Sequence, residues 1–228
     1  MLRSETRFGF VLKTILLIEA VASLWNRQWL TAVTTFGIIA LTMMPILLRR
    51  RFKIHITAQF EIMAIGFVFA SLFLGEVRNY YIQYWWWDIA LHTTSGLLLG
   101  IIGFLLVHIL NQMDDISLRM KPGFVAFFAF LFAVGTGALW EIFEFAMDSL
   151  FGMNMQKPML NDPSGLTDTM WDLIVDTLGA LVIAVIGYFQ IRDSRRKPGF
   201  IRAWIANFVR KNPTLFKAGE KKRKTHRG

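Results

Sequence analysis

Residues 122–150 read PGFVAFFAFLFAVGTGALWEIFEFAMDSL, and no charged residue precedes Glu141 in this stretch. A helix that crosses the apolar part of a bilayer needs about 20 residues, so the stretch is long enough to span a membrane. Its last turns carry Glu141, Glu144 and Asp148. Because an ionised side chain inside a membrane is costly, acids in such a segment indicate a polar functional site.

Five further apolar runs have a similar length. Together the six runs cover residues 8–25, 30–48, 57–74, 84–110, 122–150 and 170–191. Lipid offers the backbone no hydrogen-bond partners, so helices are expected for all of them. The chain of 228 residues is 54% hydrophobic, more than soluble domains usually contain. We therefore predict an all-α fold, a polytopic membrane bundle of six transmembrane helices that forms one domain, residues 1–192.

Basic residues alternate between the connections of the six runs. The richer side holds Arg3, Arg7, Arg49, Arg50, Arg51, Lys53, Arg119, Lys121 and the C-terminal tail. Each remaining connection holds one basic residue, at Arg27, Arg78 and Lys157. Because Lys and Arg are enriched on the cytoplasmic side, this pattern predicts that both termini are cytoplasmic.

A basic tail, residues 193–228, follows the last run. Within it, residues 199–211 place six apolar side chains on one helical face: Phe200, Ile201, Trp204, Ile205, Phe208 and Val209. This pattern is typical of an interfacial amphipathic helix on an anionic leaflet, and the cluster at 221–224 suits an electrostatic tether. The net charge of +9 therefore indicates membrane lipids as partners and not nucleic acid.

The first run permits two interpretations. Arg3 and Arg7, followed by an apolar run and by Ala20-Val-Ala22-Ser23, have the outline of a cleavable signal peptide. Lys13 and Glu19 interrupt that run, which favours a retained transmembrane helix. Cleavage would leave five helices without inverting the others.

Two more runs contain acidic stretches like the one in 122–150. They read Trp85-Trp-Trp-Asp88-Ile-Ala-Leu-His92 and Asp168-Thr-Met-Trp-Asp172-Leu-Ile-Val-Asp176. Residues three or four apart share a helical face, which gives three polar stripes. The stripes are Asp88, His92 and Ser95; Gly137, Glu141, Glu144 and Asp148; and Asp168, Asp172, Asp176 and Gly179. The predicted orientation brings all three to the extracytoplasmic end, which predicts one polar pocket within residues 84–180.

Carboxylates this close cannot all stay ionised without compensation, so they share protons or bind a cation. There is no cysteine, which excludes thiolate ligands and cysteine nucleophiles. Carboxylates with one imidazole suit a divalent Mn, Fe, Mg, Ca or Zn ion. The predicted ligands are Asp88, His92, Glu141, Glu144, Asp148, Asp172 and Asp176. Glu141 and Glu144 are also the predicted catalytic residues.

Simpler interpretations stay open for several of these residues. Asp88 and His92 can form a hydrogen bond with each other on the helix surface. Asp172 and Asp176 can accept hydrogen bonds from Trp or Thr side chains. The Ser95 hydroxyl is more typical of helix packing than of a nucleophile.

Acids near the ends of the runs have a different alternative role. Asp148 and Asp168 stand where capping or solvation is common. Asp162, in Asn161-Asp-Pro-Ser-Gly165, is interpreted as a turn residue.

The order of motifs resembles the bacterial inner-membrane proteins of the YjdF type, the DUF2238 group, and more remotely VanZ-like proteins. The resemblance covers about residues 80–190 and rests on Asp88, His92, Glu141, Glu144, Asp172, Asp176 and Gly179. It implies an integral protein of the bacterial cytoplasmic membrane but no established reaction. Signatures such as His-Glu-x-x-His and Glu-Glu-x-x-x-Arg are absent from the sequence, which argues against several known membrane proteases.

Three functions remain as hypotheses. The first is a metal-dependent hydrolase of a lipid or lipid-linked substrate, with Glu141 or Glu144 as general base. The second is a binding or structural envelope protein without catalysis. The third is a cation or proton transporter, since acids inside membranes commonly mark ion paths. The clustering of the acids at one depth favours a site over a path.

Overall fold

The computed structural model describes residues 2–112, 120–193 and 198–213. Over these residues the chain is helical and forms no strand, which confirms the all-α class. The helices are α1 (Leu2–Trp25), α2 (Trp29–Thr42), α3 (Met44–Phe52), α4 (Ala58–Val68), α5 (Tyr80–Gln83), α6 (Trp87–Gln112), α7 (Pro122–Phe151), α8 (Leu166–Arg192) and α9 (Phe200–Lys211). A π-helical segment, Phe69–Val77, continues α4.

Six helical stretches among the described residues are long and apolar enough to cross a membrane, as predicted. They are Arg7–Trp25, Trp29–Phe52, Ala58–Val77, Trp87–Asn111, Pro122–Phe151 and Leu166–Arg192. The polytopic membrane fold is therefore confirmed at the level of helix number and helix length.

The second and sixth stretches differ in detail from their predictions. The second is divided at Met43, because Pro45 stands in the first turn of α3 and cannot donate a backbone hydrogen bond to the preceding turn. The sixth begins at Leu166 instead of residue 170, because Gly165 ends the preceding turn with a positive φ of 77°. Asp168 therefore lies inside α8 and not before it.

The chain forms two compact units. Unit 1 comprises Met1–Trp87 and Asn207–Asn212, and unit 2 comprises Asp88–Ala206 and Pro213–Gly228. The predicted division into a membrane domain, 1–192, and a tail, 193–228, concerns the membrane and stays a prediction.

Unit 1 has its core where α1, α2 and the π-helical segment meet. Leu16, Ile38 and Phe73 are buried together there. The C-terminal end of α9 belongs to this unit, since the Asn212 amide donates to the carbonyl oxygen of His55 at 2.8 Å and accepts from its N–H at 2.6 Å. These two bonds fix the end of α9 against the segment that joins α3 to α4.

Unit 2 owes its close helix packing to small residues on α7 and α8. Ala129, Ala133 and Gly137 follow one another at intervals of four on α7, and the two alanines are buried. On α8, Gly179 approaches α6 so closely that an added Cβ would collide with the carbonyl oxygen of Thr93. Small residues at such spacing allow transmembrane helices to approach without steric conflict.

The predicted C-terminal amphipathic helix is present as α9. Ile201, Ile205 and Phe208 on its apolar face are buried within the protein, whereas Phe200 is exposed. Contact of this helix with a lipid leaflet stays a prediction. The basic cluster at 221–224 and Arg119 lie outside the described residues.

The close approach at Gly179 gives a stability prediction. Gly179→Ala forces the backbones of α6 and α8 apart, and overpacking of this kind costs about 1–3 kcal/mol. We expect a lower thermal unfolding midpoint for the variant in mild detergent. Gly135→Ala is the matched control, because nothing lies within 4 Å of a Cβ added there. Equal unfolding midpoints for the two variants would contradict the packing described for unit 2.

Candidate metal centre

The acidic stripes of α6, α7 and α8 meet at one end of unit 2, where α6 begins, α7 ends and α8 begins. The buried polar side chains among the described residues of this unit all lie here: Glu141, Glu144, Asp168, Asp172 and Asp176. Asp88 and His92 of α6 are half-buried beside them. The sequence-predicted convergence of the three helices is therefore present in the structure.

The His92 imidazole lies between carboxylates of α6 and α8. Its Nε2 atom is 3.6 Å from Oδ1 of Asp88 and 3.7 Å from Oδ2 of Asp172. One ligand atom from each of these three residues lies within 4.8 Å of the other two. Such spacing leaves room for one cation that all three could coordinate.

The other imidazole nitrogen faces a different pair of carboxylates. Nδ1 of His92 is 3.3 Å from Oδ2 of Asp176 and 3.8 Å from Oε1 of Glu141. The Ser95 hydroxyl donates to Oδ1 of Asp176 and so fixes that carboxylate. An Nδ1–H that donates to Asp176 leaves the Nε2 lone pair directed toward Asp88 and Asp172. This is how second-layer carboxylates orient metal-binding histidines.

Gly137 makes room for the Asp176 carboxylate. A Cβ at position 137 would lie 2.6 Å from Oδ2 of Asp176. On α6, a Cβ at Gly96 would collide with the backbone oxygen of Asp176. These two glycines let the helices close around Asp176, so the position of His92 depends on backbone packing as well as on side-chain chemistry.

Two buried carboxylates of the site lie near the His92 imidazole but accept no hydrogen bond of normal geometry from a described residue. Asp172 is 1% exposed and Glu141 is 3% exposed. None of their four oxygens forms a hydrogen bond of normal geometry with a described residue, although the Thr169 hydroxyl approaches Glu141. A buried carboxylate without a partner is costly, so these oxygens call for a proton or a cation.

Glu144 has a partner on its own helix. Its Oε1 atom accepts a hydrogen bond from the Trp140 indole at 2.8 Å. The opposite face of α7 is apolar and exposed, with Ile142 at 62% and Phe145 at 60%. The helix therefore buries its acids and presents hydrocarbon outward, as expected in a membrane.

Asp148 and Asp168 bind the connection between α7 and α8. The Asp148 carboxylate accepts from the backbone N–H groups of Met155 at 2.7 Å and Gln156 at 2.9 Å. Oδ2 of Asp168 accepts from the N–H of Lys157 at 2.7 Å. Asp148, one of the predicted ligands, thus has both oxygens engaged by the loop, while Asp168, which was not predicted as a ligand, is buried at the site.

Asp162 acts as the predicted turn residue. It accepts hydrogen bonds from the backbone N–H groups of Ser164 at 2.9 Å and Thr167 at 3.0 Å, and from both hydroxyls. These bonds, the one from the Ser164 hydroxyl contributing most, hold the pKa of the exposed Asp162 carboxyl below its usual value. Asp162 serves the loop and is no part of the buried cluster.

Ser95 has a contact that its spacing did not specify. Its hydroxyl lies within hydrogen-bond distance of the His92 carbonyl oxygen, as a helix-packing hydroxyl does, and also of the Asp176 carboxylate. Its position three residues after His92, on the same stripe, was the available signal.

Comparisons with known proteins agree with the membrane fold. The family described as "Predicted membrane protein (DUF2238)" matches residues 8–193. A Thermotoga maritima protein described as "Uncharacterized protein" is 34% identical over 128 residues, which covers 56% of this chain and 61% of that relative. The match thus spans less than two thirds of the relative's length. No solved structure matches the chain significantly.

The geometry of Asp148 predicts a structural role that can be measured. Asp148→Ala removes two charge-assisted hydrogen bonds, so amide exchange at Met155 and Gln156 should accelerate about tenfold to a hundredfold. Hydrogen–deuterium exchange of the detergent-purified protein measures this. Asp162→Ala is the control, and it should accelerate exchange at Ser164 and Thr167 alone. Unchanged exchange in Asp148→Ala would show that the loop does not depend on Asp148.

Proposed function

We infer that this chain, which belongs to the DUF2238 family of predicted membrane proteins, binds a divalent metal ion through Asp88, His92 and Asp172. We further propose that this centre serves the hydrolysis of a lipid or lipid-linked substrate. The six long apolar helices support the assignment as a membrane protein. The carboxylates and imidazole of the buried cluster support the proposal of a bound metal ion.

The observation that carries the metal proposal is the environment of Nε2 of His92. It faces Asp88 and Asp172, while Nδ1 faces a carboxylate that can accept its proton. Neither Asp172 oxygen has a hydrogen-bond partner among the described residues, which leaves both free for coordination. A cation would neutralise the cluster where protein donors do not.

The donor set restricts the class of ion. Two carboxylates and one imidazole, in a chain without cysteine, suit Mn, Fe, Mg, Ca or Zn. Asp176 would hold the His92 ring through Nδ1 without contacting the ion. Glu141 also faces Nδ1, Glu144 accepts from the Trp140 indole, and Asp148 accepts hydrogen bonds from the loop.

The distribution of buried polar groups supports a site over a conduction path. Away from the acidic end, the described core of unit 2 buries apolar side chains such as Ile101, Phe104, Val107 and Ile183. A path for protons or cations through this unit would need polar groups along the same helices. The acids instead stop within the first turns of α8 and the last turns of α7.

Hydrolysis requires a base in addition to an electrophile. A divalent ion held by Asp88, His92 and Asp172 would supply the Lewis acid. Glu141 is suited to accept a proton, because its two oxygens form no hydrogen bond of normal geometry with a described residue. Glu144 is less free, since the Trp140 indole already occupies one of its oxygens.

We also propose a location in the bacterial cytoplasmic membrane with both termini in the cytoplasm. The exposed basic residues Arg50, Arg51 and Lys53 end the second span, and Lys121 precedes the fifth. The opposite connections hold single basic residues. The enrichment of Lys and Arg on the cytoplasmic side of membranes supports this orientation. It would place the metal centre near the extracytoplasmic surface.

Elemental analysis of protein purified in mild detergent without chelator tests the metal proposal. We expect near-stoichiometric metal in the wild type and its loss in Asp172→Asn and His92→Gln. Asp162→Asn, at an exposed turn carboxylate, is the matched control and should retain the metal. Asp176→Asn should weaken affinity about tenfold to a hundredfold, as second-layer changes do. Folded wild-type protein that takes up no divalent ion even when supplied would refute the proposal.

The Glu141→Gln variant distinguishes a role of Glu141 as general base from a role as metal ligand. Because Glu141 lies on the Nδ1 side of His92, we expect the variant to keep its metal. We expect it to lose hydrolysis of any lipid-linked phosphoester, ester or amide that the wild type cleaves in a metal-dependent manner. Loss of the metal in Glu141→Gln would instead make Glu141 a ligand, as the sequence predicted.

A further inference from the structure

A groove opens in unit 1 where α3 ends. Its volume is about 460 Å³, and its lining residues are Met44, Leu47, Arg50, Arg51 and Phe52. Leu47 and Phe52 are exposed large apolar side chains, and the two arginines are exposed as well. The lining of the groove is therefore almost wholly apolar, and Arg50 and Arg51 contribute to it mainly through the aliphatic parts of their exposed side chains.

Arg50 and Arg51 pair with no carboxylate in the described part of the chain, since none lies within the 4.0 Å ion-pair distance of either residue. Guanidinium groups match phosphate oxygens through paired hydrogen bonds, so two adjacent arginines favour a phosphate.

The C-terminal end of α9 adds further charge at the same end of unit 1. The two Asn212 bonds to the backbone of His55 hold this end against the segment that follows Phe52. The Asn207 amide also donates to the Gln59 side chain at 3.2 Å. Arg210 and Lys211 are thereby anchored beside the connection that contains Lys53. Five exposed or half-buried basic residues thus belong to this end of unit 1: Arg50, Arg51, Lys53, Arg210 and Lys211.

The position of the groove along the membrane-length stretch restricts the kind of ligand that can fill it. Trp29–Phe52 is one membrane-length stretch, so its end lies at the level of lipid headgroups. A ligand that fills the groove must present an anionic head to the arginines and an acyl chain to Met44, Leu47 and Phe52. We propose that this groove binds an anionic phospholipid, with its phosphate between Arg50 and Arg51.

The proposal differs from the general attraction of basic loops to anionic membranes. Such attraction needs charge alone and is shared among all basic residues near the surface. A groove with an apolar lining predicts instead a countable lipid that stays bound after extraction into detergent. It also predicts dependence on these two arginines and not on total charge.

Native mass spectrometry of the full chain in detergent tests this proposal. The protein is titrated with phosphatidylglycerol or with phosphatidylcholine of the same acyl chains. We expect one tightly bound phosphatidylglycerol and at least about tenfold weaker binding of phosphatidylcholine. Arg50→Gln with Arg51→Gln should reduce phosphatidylglycerol affinity about tenfold or more, since the phosphate loses its charge-assisted hydrogen bonds to both guanidinium groups.

Arg27→Gln is the matched control, because Arg27 is an exposed basic residue at the opposite end of the stretch that Arg50 and Arg51 terminate. It should leave the affinity unchanged. Leu47→Asn should weaken the binding of phosphatidylglycerol although it leaves both arginine charges in place. Equal affinity for the two lipids, an unaffected Arg50/Arg51 double variant, or displacement of the lipid by millimolar inorganic phosphate would each overturn the proposal.

Discussion

One imidazole lies among four carboxylates at the end of unit 2 where α6, α7 and α8 meet, and the other contacts of this site are arranged around it. His92 lies within 3.8 Å of Asp88, Asp172, Asp176 and Glu141, and the last three are buried. Burial strengthens both the repulsion among the acids and the attraction of any cation for them. The arrangement is therefore stable only with protons or a cation, and close helix packing holds it in place.

Backbone packing and acid chemistry come from the same helical stripes. On α7 the small residues Ala133 and Gly137 lead directly to Glu141, and on α8 Asp172 and Asp176 lead to Gly179. Residues that let the helices approach thus lie one turn from the residues that need a partner. This continuity brings carboxylate oxygens of α7 and α8 close to the His92 ring of α6. The two carboxylates of α8 nevertheless differ in their contacts. Asp172 accepts no hydrogen bond from a described residue, while Asp176 accepts one from the Ser95 hydroxyl.

The sequence alone predicts much of this, for identifiable reasons. Apolar run length gives the six spans, and the spacing of Asp88, His92, Glu141, Asp172 and Asp176 gives their shared site. Long-range geometry is not encoded in such periodicity. Spacing could not tell that the loop after α7 folds back onto Asp148, that Nε2 and Nδ1 of His92 face different acids, or that Pro45 divides the second span. Those features depend on side-chain direction and on turns, which single-residue preferences leave open.

Pulsed electron paramagnetic resonance of the protein loaded with Mn²⁺ shows whether His92 is a metal ligand. We expect hyperfine coupling between the ion and the nitrogen of a single imidazole, in an otherwise oxygen environment, and its loss in His92→Gln. Coupling that persists in His92→Gln, or bound Mn²⁺ without nitrogen coupling in the wild type, would contradict a metal centre at Asp88, His92 and Asp172.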